Sequence, residues 1–199
     1  MNNYQASIIF TEDLSSSGSK IPVGIHSNCS LVSVEKGETF YDVNFKDSEG
    51  RVNNKRLWQP KGTYPATNKD GKITETTAEA LAREERENMR LIVKLLHIFL
   101  GEEGLATVSG STYDEFMAKG AAILNQKASS KKLNLKLIYD SVGAYSTFGK
   151  FVDYVEEYVE GQAPTLSYTP WELQNRVEKK ETATISREKK NDEFDSLLA

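Results

Sequence analysis

Five cations, Arg51, Lys55, Arg56, Lys61 and Lys69, succeed one another with no acidic residue between Glu49 and Asp70, and Trp58 and Tyr64 stand among them. Guanidinium and ammonium groups pair with phosphate oxygens, and flat rings offer π-faces on which an unstacked base can lie. Charge and rings in one short segment give the chemistry of a groove that holds an unpaired polynucleotide. A second acid-free stretch, Ala118 to Tyr139, carries Lys119, Lys127, Lys131, Lys132 and Lys136. The chain as a whole has a net charge of -4 and a pI near 5.4. Two local positive fields thus sit within a negative envelope, and a Debye length of ~8 Å at physiological salt keeps such patches partly independent.

The phosphate-pairing candidates are Arg51, Lys55, Arg56, Lys61, Lys131, Lys132 and Lys136, and the first stacking candidates are Trp58 and Tyr64. Phe40, Tyr139, Tyr145 and Phe148 rank second, because an aromatic residue in a strand more often belongs to the core. The competing reading of either basic stretch is a solvated lysine-rich loop. Catalysis finds little support. His97 lies in an apolar helical run and reads as a packed residue, and His26 stands three positions from Cys29 without a third ligand. No GxxxxGK phosphate loop, GxSxG elbow or HExxH pair is present. Glu84, Glu85 and Glu87 alternate with Arg83, Arg86 and Arg90 in the manner of surface ion pairs. No cofactor and no metal are expected.

With 199 residues, 38% hydrophobic, 10% aromatic and 27% charged, the chain has the composition of one folded domain, with room for a small appendage. No segment approaches the ~18 consecutive apolar residues of a membrane span. The start, MNNYQASIIFTEDL, lacks the basic and apolar runs of a secretory signal, so a cytoplasmic location is expected. Cys29 is the only cysteine, which excludes an intramolecular disulfide.

The elements that must position these groups begin with strand-like periodicity between Ile21 and Trp58. Tyr41, Val43 and Phe45 alternate with Asp42, Asn44 and Lys46 in Thr39 to Asp47, the period of a half-buried strand. Gly50 supplies the positive φ of a tight turn, and Arg51 to Trp58 returns as a third strand, stopped by Pro60 and Gly62. Thr76 with Glu79 predicts a capping box and a helix stopping at Gly101, with Met89, Ile92, Leu96 and Phe99 on its core face. Thr112 with Glu115 predicts a second box, before a helix with Phe116, Ile123 and Leu124 inside. Leu133 to Tyr139 then reads as a strand with one buried face and one face bearing Lys136. Tyr145 to Val159 fits either a further strand or a strand plus a short helix. After Thr169 regular pattern fades; Trp171 and Leu173 are candidates to dock on the domain, and Glu178 to Asn191 has the composition of a mobile segment.

Three strands, a helical insertion and two more strands make the order of a mainly β, five-stranded, OB-fold-like open barrel. Such barrels bind oligonucleotides across strands two and three and the adjoining loops. The expected organisation is an N-terminal arm or extra strand over 1–20, the barrel over 21–168 with its insertion at about 74–128, and an extension with a mobile acidic tail over 169–199.

The run VGIHSNCSLVSVEKGETFYDVNFKDSEGRVNNKRLWQPKG, succeeded after the helical block by LNLKLIYDSVGAYSTFGKFVDYVEEY, resembles the single-stranded DNA-binding proteins of tailed bacteriophages. The likeness covers roughly residues 20–60 and 130–160 and lies in hydrophobic and turn positions. It implies an OB-fold and sequence-independent binding and protection of single-stranded DNA in replication or recombination, in the host cytoplasm, with homo-oligomerisation a possibility. The last segment, NDEFDSLLA, is similar in kind to the acidic, apolar-tipped tails by which such proteins recruit replication enzymes. Asp192, Glu193, Phe194, Asp195, Leu197 and Leu198 would be its contact residues, although the proline and phenylalanine ending of the familiar bacterial tail is absent. Its carboxylates could also occupy the empty groove as phosphate mimics. The alternative is a phage structural or scaffold-type interaction module without nucleic-acid binding.

Overall fold

The computed structural model describes residues 19–63 and 65–177. Strands β1 (Gly24–Lys36), β2 (Phe40–Lys46) and β3 (Val52–Trp58) form an antiparallel meander. Tyr41, Val43, Phe45 and Leu57 turn into the core, and Phe40, Asp42, Arg56 and Trp58 turn outward, as the period-two pattern requires. The β2–β3 turn is organised by Asp47. Its carboxylate accepts from the backbone N–H of Glu49 and Arg51 and pairs with Arg51 Nε at 2.6 Å. Burial alone would push this carboxyl's pKa up, but the bonds from Arg51 and Glu49 outweigh it and hold the group below the usual range.

Strand β1 serves two ladders. Residues 30–36 pair with β2, and residues 24–29 pair with β4 (Leu133–Tyr139), with register shifts at the bend. The order is β3-β2-β1-β4-β5, and Asn53 Nδ2 reaches the carbonyl and hydroxyl of Ser146 to bring β3 against β5. The result is a nearly closed five-strand antiparallel barrel, the OB-fold-like architecture expected. Helices α1 (Thr77–Leu105) and α2 (Tyr113–Lys127) form the insertion. Ile92, Leu95, Leu96 and Phe99 of α1 are buried, and Gly120 of α2 lets the helices approach so closely that a Cβ there would lie 2.6 Å from Ile92. Asn125 of α2 accepts from Val34 N at 2.7 Å and donates to Val34 O at 3.0 Å, satisfying the β1 edge beyond β4.

Several details differ from expectation. The Thr76 box is complete, but Thr112 makes only half of one, because Glu115 turns back to Ser111 and along to Lys119. Gly101 (φ 74) breaks α1 without ending it. Both faces of β4 are buried, since one faces the core and the segments carrying Asp153, Ser167, Tyr168 and Glu172 cover the other. Its hairpin partner is neither a full strand nor a helix. It is split into β5 (Ser146–Thr147) and β6 (Val155–Glu157), with the stretch from Phe148 to Asp153 leaving the ladder between them.

Lys136 faces that excursion and is 1% exposed. Its Nζ donates to Asp153 Oδ2 at 2.7 Å, Glu172 Oε2 at 3.1 Å and Ser167 O at 3.1 Å. Glu172 lies in a short capped turn, α3 (Pro170–Glu172), which leads into a single π-turn, Leu173–Val177. The extension therefore docks through Glu172, while Trp171 and Leu173 stay 57% and 50% exposed. Residues 1–18, Tyr64 and the tail lie outside the described residues. Among the described residues no helix is long and apolar enough to cross a membrane.

The buried charges Lys136 and Asp47 should be visible in stability. Lys136→Met leaves Glu172 buried without its cation and should cost about 3–5 kcal/mol in urea unfolding. A loss below about 1 kcal/mol would show that the pair is not structural. Asp47→Asn should cost about 1.5–3 kcal/mol at pH 7. Because the folded Asp47 pKa is depressed, its contribution is full above the unfolded value near 3.8 and fades as pH falls through the lower folded value, so the variant and the parent should converge in strong acid.

Candidate nucleic-acid interface

On the outer face of the β2–β3 ladder, Phe40 stands opposite Trp58 and Asp42 opposite Arg56. The rings of Phe40 and Trp58 meet edge to face at 5.6 Å, and the Arg56 guanidinium lies 3.8 Å above Phe40 and 5.3 Å from Trp58. Asp42 holds Arg56 through two bonds of 2.8 and 2.6 Å, which fixes the guanidinium plane between the rings. Trp58 remains 60% exposed. The ring is braced by Phe40 and Arg56 while more than half of its surface stays accessible, which suits a stacking platform.

Trp58 stands on the wall of a cleft of about 690 Å³, lined by Lys55, Lys61, Glu84, Asn88, Lys150 and Tyr154 among others. One wall is the end of β3 and the segment after it. The second is α1, and the third is the excursion that leaves the β4 ladder. Asn88 donates to Trp58 O at 2.7 Å, and Glu84 Oε2 accepts from the N–H groups of Lys61 and Gly62 at 3.0 and 3.1 Å. Gly62 has φ +63, and a Cβ there would lie 2.4 Å from Thr77 O, so only glycine lets the loop press against the helix start. Lys55 points inward; it donates to Gly149 O at 3.1 Å across the open seam of the barrel, and burial pushes its pKa down.

Lys55, Arg56, Lys61, Arg83 and Lys150 set a positive field in the cleft against Glu84 and Glu87. Arg56 is neutralised by Asp42, and Arg83 by Glu75 and Glu87. Lys61 and Lys150 are exposed and have no ion-pair partner among the described residues.

The remaining candidates are not gathered here. Arg51 is held by Asp47 and Glu49, Lys131 pairs with Glu157 at 2.9 Å, and Lys132 donates to Ser30 at 2.8 Å. Arg51 binds Asp47 at the β2–β3 turn, and Lys132 binds Ser30, which stands opposite Lys46 at the same end of β2, so both lie at the Asp47 end of the barrel, a strand length from Trp58. Lys136 is sealed inside and already neutralised, which removes it from phosphate contact. Phe148 is a core residue, with ring centroids 5.1 Å from Phe45 and 5.0 Å from Tyr154. Tyr139 is half-buried and its carbonyl accepts from Arg176, whereas Tyr145 is 71% exposed in the turn after β4. His97, expected in the core, is exposed. Glu84, expected in a surface ion pair, instead holds the cleft loop.

Sequence reasoning missed Lys150 and Asn88 of the cleft lining and, next to Lys150 but outside that lining, the 68% exposed Phe151. A signal is present for two of them. In Phe148-Gly149-Lys150-Phe151 the glycine interrupts the aromatic spacing, and a chain that leaves its ladder at a glycine exposes the side chains next to it. No family model, curated protein or solved structure matches this chain.

Proposed function

We propose that this protein binds single-stranded DNA without sequence preference, along a path from the Phe40–Arg56–Trp58 platform into the adjoining cleft. The observation that carries this reading is the largely exposed ring of Trp58 on the wall of a cleft bearing Lys61 and Lys150, cations without an ion-pair partner among the described residues. A base stacked on Trp58 would place its neighbouring phosphates near those ammonium groups. Duplex DNA hides the faces such a platform needs, and nothing in the arrangement selects one base edge over another. Binding of this kind would protect unpaired DNA during replication or recombination, with the acidic tail serving other proteins of that process. The cleft side chains have no role in bond making under this reading. A protein-interaction module is the second reading, favoured by the apolar groove on the far side of α1.

Fluorescence titration with oligo-dT tests the choice, in a Trp171→Phe background so that only Trp58 reports. The expected result is quenching at low salt with single strands and little response to duplex; an inert titration with both would favour the interaction module. Trp58→Ala should weaken single-strand binding by about tenfold or more, the size of one base stack, while the urea midpoint barely changes. Lys61→Ala/Lys150→Ala should flatten the salt dependence of log K by roughly 1.4, at about 0.7 for each phosphate no longer neutralised. An unchanged slope would place the phosphates elsewhere.

A further inference from the structure

The side of α1 turned away from the cleft carries a second concavity, an open groove of about 690 Å³. Its floor is Met89, Val93, Leu105 and Phe116, half-buried side chains of which Met89, Leu105 and Phe116 pack against the core with one side and leave the other on the groove. Along its rim run Arg86, Arg90 and Lys94, all exposed, with His97 beyond them. None of these three cations has an ion-pair partner among the described residues, and no carboxylate among those residues lines the groove. An apolar trough edged by unpaired cations suits a segment in which large apolar side chains alternate with carboxylates.

This chain contains such a segment. Asp192, Glu193 and Asp195 surround Phe194, and Leu197 and Leu198 come three and four positions after it, the spacing by which short segments anchor in apolar grooves. We infer that residues 191–199 dock in the α1–α2 groove of their own molecule, Phe194, Leu197 and Leu198 on the floor and the carboxylates against Arg86, Arg90 and Lys94. Reach permits this. Val152 lines the groove, its neighbour Asp153 is tied through Lys136 to Glu172, and the described chain ends five residues later at Val177. The residues from Val177 to Asp192 span up to roughly 50 Å when extended. The N-terminal segment is the poorer candidate, because it joins the barrel at Ile21 beside Val52, the end of β3 remote from α1. The nucleic-acid cleft is also a poorer seat than the groove, since Glu84 and Glu87 offset part of its positive charge and it lacks the groove's continuous apolar floor, whereas no carboxylate among the described residues lines the groove.

The chain has three methionines, and Met89 is the one on the groove floor, while Met117 is fully buried in the core. Methyl-labelled methionine therefore reads the groove and the fold together in the full chain. Phe194→Ser/Leu197→Ser/Leu198→Ser should move the Met89 methyl signal and leave that of Met117 in place. A synthetic peptide of residues 189–199 added to this variant should restore the Met89 signal, and Arg90→Glu/Lys94→Glu should weaken the peptide by about tenfold or more. Reversing the tail charges, with Asp192→Lys/Glu193→Lys/Asp195→Lys, should recover docking in that rim variant. A Met89 signal indifferent to the tail substitutions would overturn the inference. So would a tail-dependent signal that varies with protein concentration while the mass doubles, which would assign the groove to the tail of a second copy. Neither result bears on Trp58, so the inference and the proposed function fail separately.

Discussion

A single buried ammonium group sets the shape of the half of this molecule that carries the cleft. Lys136 sits on β4 at 1% exposure, and a charge there is tolerable only if several oxygens replace its water. They come from three places: Asp153 at the end of the excursion, the carbonyl of Ser167, and Glu172 in the C-terminal extension. The excursion is therefore drawn against β4 at Asp153 while the preceding residues, Gly149 to Val152, stay outside the ladder. Lys150 and Val152 among them form a wall of the cleft. The same cation that looks like a phosphate ligand in the linear chain builds the wall.

Barrel closure and cleft formation are thus alternatives at one place. A continuous fifth strand would pair β4 along its length and leave little space beside β3. The split into β5 and β6 leaves a seam instead, which Lys55 spans to Gly149 O, and Phe148 and Tyr154 fill from within. The excursion forgoes ladder hydrogen bonds, and Lys136 with its partners substitutes charge-assisted bonds for them. Helix α1 closes the far side, anchored by Asn88 to Trp58 O and by Glu84 to the loop at Gly62.

The barrel is legible in the sequence because its signals are local. Alternation in Tyr41, Val43 and Phe45, the Asp47–Gly50 turn and the Thr76 cap each depend on a few neighbouring residues, and each is realised. The site is legible only in part, because exposure depends on what the rest of the chain places over a strand. Arg56 and Trp58 do face outward, but period two necessarily sends Lys55 and Leu57 to the other face. Lys136 and Phe148 mislead for a different reason. Their polarity or ring chemistry fits an interface, and only distant Glu172, Phe45 and Tyr154 make them interior. Lys132 and Arg51 lie at one end of the barrel, a strand length from Trp58, a separation that counting cations along the chain does not reveal.

Helix α1 has concave surfaces on two sides, and this constrains any communication between them. Arg83, Glu84, Glu87 and Asn88 face the cleft, Arg86, Met89, Arg90 and Val93 face the groove, and Val152 of the excursion touches both. A ligand on one side can alter affinity on the other only if it changes the balance between two arrangements of a shared part. The buried face of α1, packed through Ile92, Leu95 and Leu96, offers little freedom for that. The excursion is the better shared part. Its Val152 is half-buried and Phe151 is exposed, while Lys136 restrains it at Asp153 alone on the β4 side. Coupling between groove and cleft, where it exists, would therefore run through the position of Gly149 to Val152, and would strengthen or vanish with the bond that Lys136 makes to Asp153.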